Sequence, residues 1–235
     1  MNIDLDLNIC DKLLTTTRSI RRRLDLSRPV PPELIEECLE VAVQSPSATN
    51  TQKWRFMVIR DADKRAGIAG LYKQAFESYW EQADDATYGT TGPASTPEEA
   101  RGKPPPYNSL QRMIDSAVYL GDHLHEVPVH VLFCVEDQVR DVPLFDQATA
   151  YGSILPAAWS FMLAARARGL GCCWTTVHLT HADEAAKLLN IPDTVTQCVL
   201  LPVAYYTGTD FKAARRIPAT QLTHWDTWGQ KRDGS

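Results

Sequence analysis

The stretch ATAYGSILPAAWSFMLAARARGLGCCWTTV, residues 148–177, is where the fold is decided. Its apolar first part predicts a long helix over residues 146–168, and Gly169 stops it. Pro156 inside that helix is expected to bend it or break its first half, because proline lacks the N–H and its ring crowds a carbonyl. After the glycine, LGCCWTTV reads as a strand or extended segment. Downstream, HADEAAKLLN (181–190) reads as a short helix with Thr180 as N-cap, and TQCVLLPVAYY (196–206) as a strong strand.

The same alternation continues upstream. VPVHVLFCV (127–135) predicts a strand buried on both faces, and Leu110, Met113, Ile114, Ala117 and Leu124 mark a helix before it. Residues 63–83 read as a helix with Ile68, Leu71, Ala75 and Tyr79 on its stripe, and WRFMVI (54–59) as a buried strand. VPPELIEECLEVAVQ (30–44) opens with prolines suited to a first helical turn and places Leu34, Ile35, Cys38, Leu39 and Ala42 on one face. Residues 8–15 form a short helix ending in the run Thr15-Thr16-Thr17. Between Thr87 and Asn108, Gly, Pro and Thr dominate, which predicts an irregular loop that shapes a substrate pocket. The tail from 207 is polar and aromatic without periodicity. Alternating helices and strands, taken alone, suggest a doubly wound α/β domain. No internal repeat or linker divides the chain, so one domain over 1–235 is expected, with a C-terminal extension at 207–235.

Composition narrows the partners. The chain has 235 residues and a formal charge of -5, which argues against non-specific binding to nucleic acid or to an anionic membrane. No run of 18 apolar residues occurs, and MNIDLDLNICDKL lacks the basic and apolar regions of a signal peptide, so a cytoplasmic location is expected. Cys10, Cys38, Cys134, Cys172, Cys173 and Cys198 show neither CxxC nor metal-ligand spacing. Buried packing is the reading for Cys38, Cys134 and Cys198. Cys172 and Cys173, neighbours on a strand, point to opposite faces and pack rather than pair. His178 and His181 have no acidic or thiolate partner at metal-binding spacing, and solvation is expected for both.

Several groups of residues could carry chemistry. Arg18, Arg21, Arg22 and Arg23 crowd around Ser19 directly after a helix. That pattern suits either a solvated basic face or a phosphate held by guanidinium forks and a hydroxyl. SPSATNTQKW (45–54) puts many short hydrogen-bonding side chains between two apolar elements, as the polar edge of a flat cofactor would require. Gly169 and Gly171 permit close backbone approach, Thr175 and Thr176 supply hydroxyls, and core packing explains Trp174 as well as stacking does. Arg215 and Arg216 offer a second basic pair. The absence of GxGxxG, GxxxxGK[ST] and GxSxG removes support for Rossmann, P-loop and serine-hydrolase readings.

In this order the pieces resemble the FMN-dependent nitroreductase family, from about Leu13 to Pro218. The resemblance rests on Arg18-Ser19-Ile20-Arg21, on Pro46-Ser47-x-x-Asn50-x-Gln52-x-Trp54 and on Gly169-Leu170-Gly171-x-x-Trp174. A valine- and leucine-rich strand then ends at the Gly208 turn, ahead of Arg216-x-Pro218. Two departures stand out: Thr17 precedes Arg18 where many members pair arginines, and Lys53 replaces a common proline, adding a charge near the site.

The resemblance implies an α+β fold, a mixed sheet flanked by helices, and an intertwined homodimer with two FMN sites at its interface. It places Arg18 and Ser19 at the ribityl phosphate and Arg21, with Arg22 beside it, near the flavin N1/O2 edge. Pro46, Ser47 and Asn50 reach the partner's flavin. The Trp174-Thr175-Thr176 backbone approaches N5, and Arg215 or Arg216 closes over the phosphate. A guanidinium at N1/O2 favours the reduced, negatively charged flavin, so Arg21 is the flavin-tuning candidate. The implied activity passes electrons from NADH or NADPH to a nitroaromatic or quinone by a ping-pong mechanism. A specialised dehalogenation or dehydrogenation, or non-catalytic flavin binding, are the competing uses of the same fold.

Overall fold

The computed structural model describes residues 5–82, 107–209, 211–214 and 216–232. The chain divides into a unit of residues 18–208 and a smaller one made of 1–17 with 209–235. Most of the irregular stretch expected at 87–108 lies outside the described residues, as do Arg215 and the side chains of Tyr79, Leu110, Met113 and Ile114.

In the larger unit, β1 (Trp54–Ile59), β2 (Val129–Val135), β3 (Leu170–Cys172) and β4 (Thr196–Tyr205) form one sheet in the order β1-β2-β4-β3. Every pairing among the described strands is antiparallel. This corrects the doubly wound reading and confirms an α+β fold. The physical reason lies in the connections. One helix between two strands reverses the chain at both of its ends and gives a parallel pair. Here α3 (Ala62–Gln82) and α4 (Tyr107–His123) both intervene between β1 and β2, which makes the reversals odd in number, and the strands oppose. Among the described strands no parallel pair of the mixed sheet implied by the resemblance occurs. β2 and β3 are each antiparallel to β4 and so run in the same direction, but β4 lies between them.

Two helical layers enclose the sheet. Val129, Val131, Phe133 and Val135 join Val199, Leu201 and Val203 in a core with α2 (Pro32–Ala42) and α5 (Leu144–Ala167). On the other face, Leu132, Cys134 and Leu200 pack with Ile68 of α3 and with Ala185 and Leu189 of α6 (Ala182–Leu189). All seven residues of β2 are buried, as expected. β1 is an edge strand with Arg55 and Val58 exposed, which corrects the fully buried reading. Lys53 forms an ion pair with Asp137 at 2.7 Å beside that edge.

α5 runs unbroken through Pro156, so the expected break does not occur. The residue four back is Gly152, exposed and with no neighbour where a Cβ would stand, so its released carbonyl stays open to water. Thr180 does not cap α6. It lies inside a 3-10 turn, Val177–His181, that continues into the helix with His181 at the N-cap. No helix among the described residues is long and apolar enough to cross a membrane.

The smaller unit holds α1 (Leu7–Thr16), capped by Asp6, whose carboxylate accepts from the Asn8 and Ile9 amides. It also holds a short α7 (Ala219–Leu222), within the tail read as aperiodic. Leu7, Ile9, Leu222, Trp225 and Trp228 are all exposed, and Trp228 stacks on His224 at 4.2 Å.

Candidate functional site

The arginine cluster is sorted by the sheet edge it follows. Ile20 donates its N–H to the Cys172 carbonyl at 2.8 Å, and Asp25 donates to the Tyr205 carbonyl at 2.7 Å. Leu24 bridges Tyr206, and Thr207 donates to the Arg23 carbonyl at 2.9 Å. Residues 20–25 thus lie along β3 and the end of β4, with Ile20 and Leu24 turned into the core.

The guanidinium groups then separate. Arg22 donates to the Asp115 carbonyl at 3.1 Å and sits over the Tyr119 ring. Arg23 Nε donates to the Thr207 carbonyl at 2.7 Å, next to Gly208 in the left-handed region. Arg21 is half-buried, and its side chain and that of Ser19 reach the Cys173 thiol. Arg18 and Ser19 are exposed at the outer end. Two of the four arginines are therefore bonded to backbone carbonyls, one faces inward, and Arg18 stands at the surface.

Gly171 makes this arrangement possible. A Cβ there would stand 3.0 Å from Ile20 Cδ1 and 3.2 Å from Leu24 Cδ2. Gly171→Ala is expected to cost ~1–3 kcal/mol by overpacking, read by urea denaturation, and to loosen residues 20–24. Unchanged stability would show that the strip does not depend on this close approach.

Beyond β3 the chain stays beside β4. Thr175 N–H donates to the Leu200 carbonyl at 3.1 Å, and Leu200 N–H donates back to the Thr175 carbonyl at 2.9 Å. The Thr175 side chain is buried and accepts from Val177 N–H at 3.4 Å. Its neighbour Thr176 is exposed, and no acceptor among the described residues takes the Thr176 N–H. Trp174 packs half-buried against the α2–α5 core. Of the three residues read as approaching the flavin, Thr176 faces outward, while the backbone and side chain of Thr175 are already bonded.

The cysteines are free and, Cys10 apart, buried. Burial pushes the thiols of Cys134 and Cys198 up to about 12 and that of Cys38 to about 11, as packing groups should be. Cys173 is also raised by burial, against the opposing pull of Arg21 and Ser19. His178 departs from expectation: it is fully buried, not solvated, and neither ring nitrogen has a partner among the described residues.

The loop after α2 is anchored elsewhere. Ala48 N–H donates to Ser153 Oγ at 3.1 Å, and Ser45 Oγ lies 2.9 Å from Ser160 Oγ, both on α5. Thr49, Asn50 and Gln52 all adopt positive φ, at 48°, 55° and 51°. Three such non-glycine residues store strain of ~1–3 kcal/mol each, of the kind found where geometry serves a ligand. Ser47 Oγ accepts the Gln52 N–H at 3.1 Å, while Pro46 and Asn50 are exposed. This loop and the arginine strip take their anchors from different elements.

Arg216 is exposed in the smaller unit. A cavity of about 450 Å³ lined by Tyr151, Leu179, Pro192 and Gln197 lies at the Thr196 end of β4 and shares no lining residue with the strip. Sequence reasoning missed Tyr72, buried on α3. Tyr72 follows Ile68 by four residues on the buried stripe of α3, a spacing that could have found it.

A family description, the nitroreductase family, matches residues 14–205. An Archaeoglobus fulgidus protein with the provisional name NADH dehydrogenase/NAD(P)H nitroreductase is 44% identical over 198 residues, covering 83% of this chain and 84% of that one. The iodotyrosine deiodinase of Thermotoga neapolitana is 26% identical over 196 residues, covering 82% and 86%. Among solved structures, oxidised iodotyrosine deiodinase bound to FMN and 3-iodo-L-tyrosine superposes with a TM-score of 0.67 at 22% identity, covering 93% of this chain and 99% of that one. With the family match spanning most of its length, this chain belongs to the nitroreductase family.

Proposed function

We propose that the protein is an FMN-dependent oxidoreductase that takes electrons from NADH or NADPH and passes them to a small acceptor, a nitroaromatic or a quinone. We propose further that it works by a ping-pong mechanism, as a homodimer in the cytoplasm. The observation that carries this reading is the arrangement along β4. Arg23 and Asp25 meet the strand at Tyr205–Thr207, and Thr175 meets it at Leu200. Ile20, next to Arg18 and Ser19, meets Cys172, whose partner Val203 lies three residue steps from Leu200, roughly 10 Å at the usual rise. The Arg18–Ser19 pair and an outward N–H are thus set apart beside one rigid strand, which suits a molecule with an anionic tail and a flat polar ring.

The donor set fits FMN. Arg18 and Ser19 would hold the terminal phosphate, Arg21 would keep a positive charge at the N1/O2 edge, and Thr176 would offer N–H and hydroxyl at N5. Bound FMN supplies the two-electron chemistry between nicotinamide and acceptor. The chain's own part is to orient the ring and hold charge beside it. Pro46, Ser47 and Asn50 would serve the partner's flavin, which agrees with the anchoring of their loop on α5. Exposed Val41 and Trp159 on α2 and α5, with Trp225 and Trp228 in the smaller unit, supply apolar surface for a second subunit.

Reductive dehalogenation is the second reading, favoured by the deiodinase relative. One experiment addresses both. The purified protein should release FMN and not FAD on heating, and NADH and NADPH should each be tried against a nitroarene, a quinone and a halophenol. Parallel initial-rate lines with the nitroarene or quinone are expected. Turnover of the halophenol alone would favour the second reading. FAD, or no flavin after reconstitution, would overturn the cofactor assignment, and a monomer in sedimentation that still held FMN tightly would overturn the shared site.

A further inference from the structure

Ser153 and Ser160 stand two turns apart on α5, a spacing that puts both hydroxyls on one face of the helix, roughly 10 Å apart along its axis. That face meets the loop after α2. Ser45 Oγ lies 2.9 Å from Ser160 Oγ, and Ala48 donates its N–H to Ser153 Oγ at 3.1 Å. Ser153 can only accept in this bond, because its one hydroxyl hydrogen goes to the Thr149 carbonyl at 2.8 Å. Among the described residues, no other hydrogen bond joins residues 46–51 to another element.

The remaining bonds of the loop are local. Asn50 N–H donates to the Ser47 carbonyl at 3.0 Å, Thr51 N–H to the Ala48 carbonyl at 3.1 Å, and Gln52 N–H to Ser47 Oγ at 3.1 Å. These bonds give the loop its shape but not its place. Thr49, Asn50 and Gln52 are held at positive φ, a conformation that persists only where the surroundings over-determine it. Shape and place meet at Ala48. Its carbonyl accepts from the hydroxyls of Thr49 and Thr51, while its N–H leaves the loop for α5. We propose that Ser153 is a positioning residue acting in trans: by holding Ala48 from α5 of one subunit, it places Ser47 and Asn50 of that subunit at the flavin of the other. The flavin and dimer parts of this inference rest on the function proposed above; the anchor itself does not. A change at Ser153 is therefore felt in the partner's site and not in its own.

The test uses Ser153→Ala, which removes the acceptor, and Ser153→Thr, which keeps a hydroxyl able to reach the carbonyl four residues back. Amide exchange at Ala48 and Gln52 is read in the protein as purified, with the buried Phe161 and Ala165 of α5 as internal references. Ser153→Ala should speed exchange at both loop amides by about five- to tenfold, as expected for one neutral hydrogen bond, and leave the references unmoved. FMN affinity should fall by a similar factor, and Ser153→Thr should restore both. The direction is read in mixed dimers, isolated through two different tags, that pair a Ser153→Ala subunit with an Arg18→Ala subunit. One site then keeps its own Arg18 and receives an intact loop, so half of the sites should bind FMN as wild type does. The other site carries both defects and should bind about five hundredfold more weakly or worse. A tighter half weakened like the Ser153→Ala homodimer would overturn the action in trans. Unchanged exchange at Ala48, loss of protection at Phe161 and Ala165 as well, or full FMN affinity despite faster loop exchange would each overturn the positioning role. If the protein takes up no FMN, the proposed function falls, and Ala48 exchange still decides whether Ser153 holds the loop.

Discussion

Arg18→Ala should lower FMN affinity by about a hundredfold while any flavin that remains bound is reduced at nearly the wild-type rate. Arg21→Ala should do the reverse, keeping most FMN and slowing reduction by the nicotinamide roughly tenfold or more. The two arginines differ in what they are expected to sense. A phosphate carries the same charge before and after electron transfer, so its contacts stabilise both redox states equally. Charge-assisted bonds to it are worth ~1.5–3 kcal/mol each, which sets the expected loss at Arg18. Arg21 is half-buried against the Cys173 thiol, where water screens its charge less than at the exposed Arg18. A cation fixed at an edge that becomes negative on reduction favours the reduced state selectively, and a loss above ~1.4 kcal/mol gives the tenfold effect. Fluorescence titration with FMN and stopped-flow bleaching of both variants settle it. Equal reduction rates in Arg21→Ala and wild type would remove Arg21 from the tuning role.

The second large effect is on stability. Lowering the pH from 7 to 5 should cost the fold ~3–4 kcal/mol through His130 and His178 alone. Burial pushes both imidazoles down from 6.5 to about 4. His130 is held lower still by Arg65 and His178, against a bond from its Nε2 to the Leu124 carbonyl at 2.9 Å. Because the folded values lie below the unfolded one, the unfolded chain binds more protons between pH 6.5 and 4. Stability is therefore full above 6.5, falls as the pH drops through that window, and levels off near 4. Urea unfolding at pH 7, 6 and 5 measures the slope. His178→Leu should remove about half of it and, because neither ring nitrogen has a partner among the described residues, should not destabilise at pH 7. An unaltered slope in that variant would place the acid sensitivity elsewhere.

How much of this could be read from the sequence differs by residue. The order Arg18-Ser19, Pro46 to Trp54 and Gly169 to Trp174 named the elements that the structure arranges along β3, β4 and α5, because short motifs keep their spacing whatever the topology. Strand direction was not legible, since alternation along the chain is the same whether one helix or two turn it between strands. Thr175 and Thr176 could have been told apart by strand alternation, which puts neighbours on opposite faces. His178 could not, because the 3-10 turn that buries it has no apolar period of its own. Nor could the four arginines be ranked, since the carbonyls that take Arg22 and Arg23 lie 93 and 184 residues away.

That separation, together with the place of β4 between β2 and β3, orders events on the ribosome. The arginines are synthesised well before the strands they lie along. Until β4 emerges, β2 lacks one neighbour and β3 has none, and both stand as unpaired edges. Such non-local closure is slow and leaves edges open to association. A nascent chain truncated before residue 196 would therefore carry every arginine of the strip without the Tyr205–Thr207 contacts that hold residues 23–25. On the function proposed above, the residues assigned to the flavin would come together only once β4 has been made.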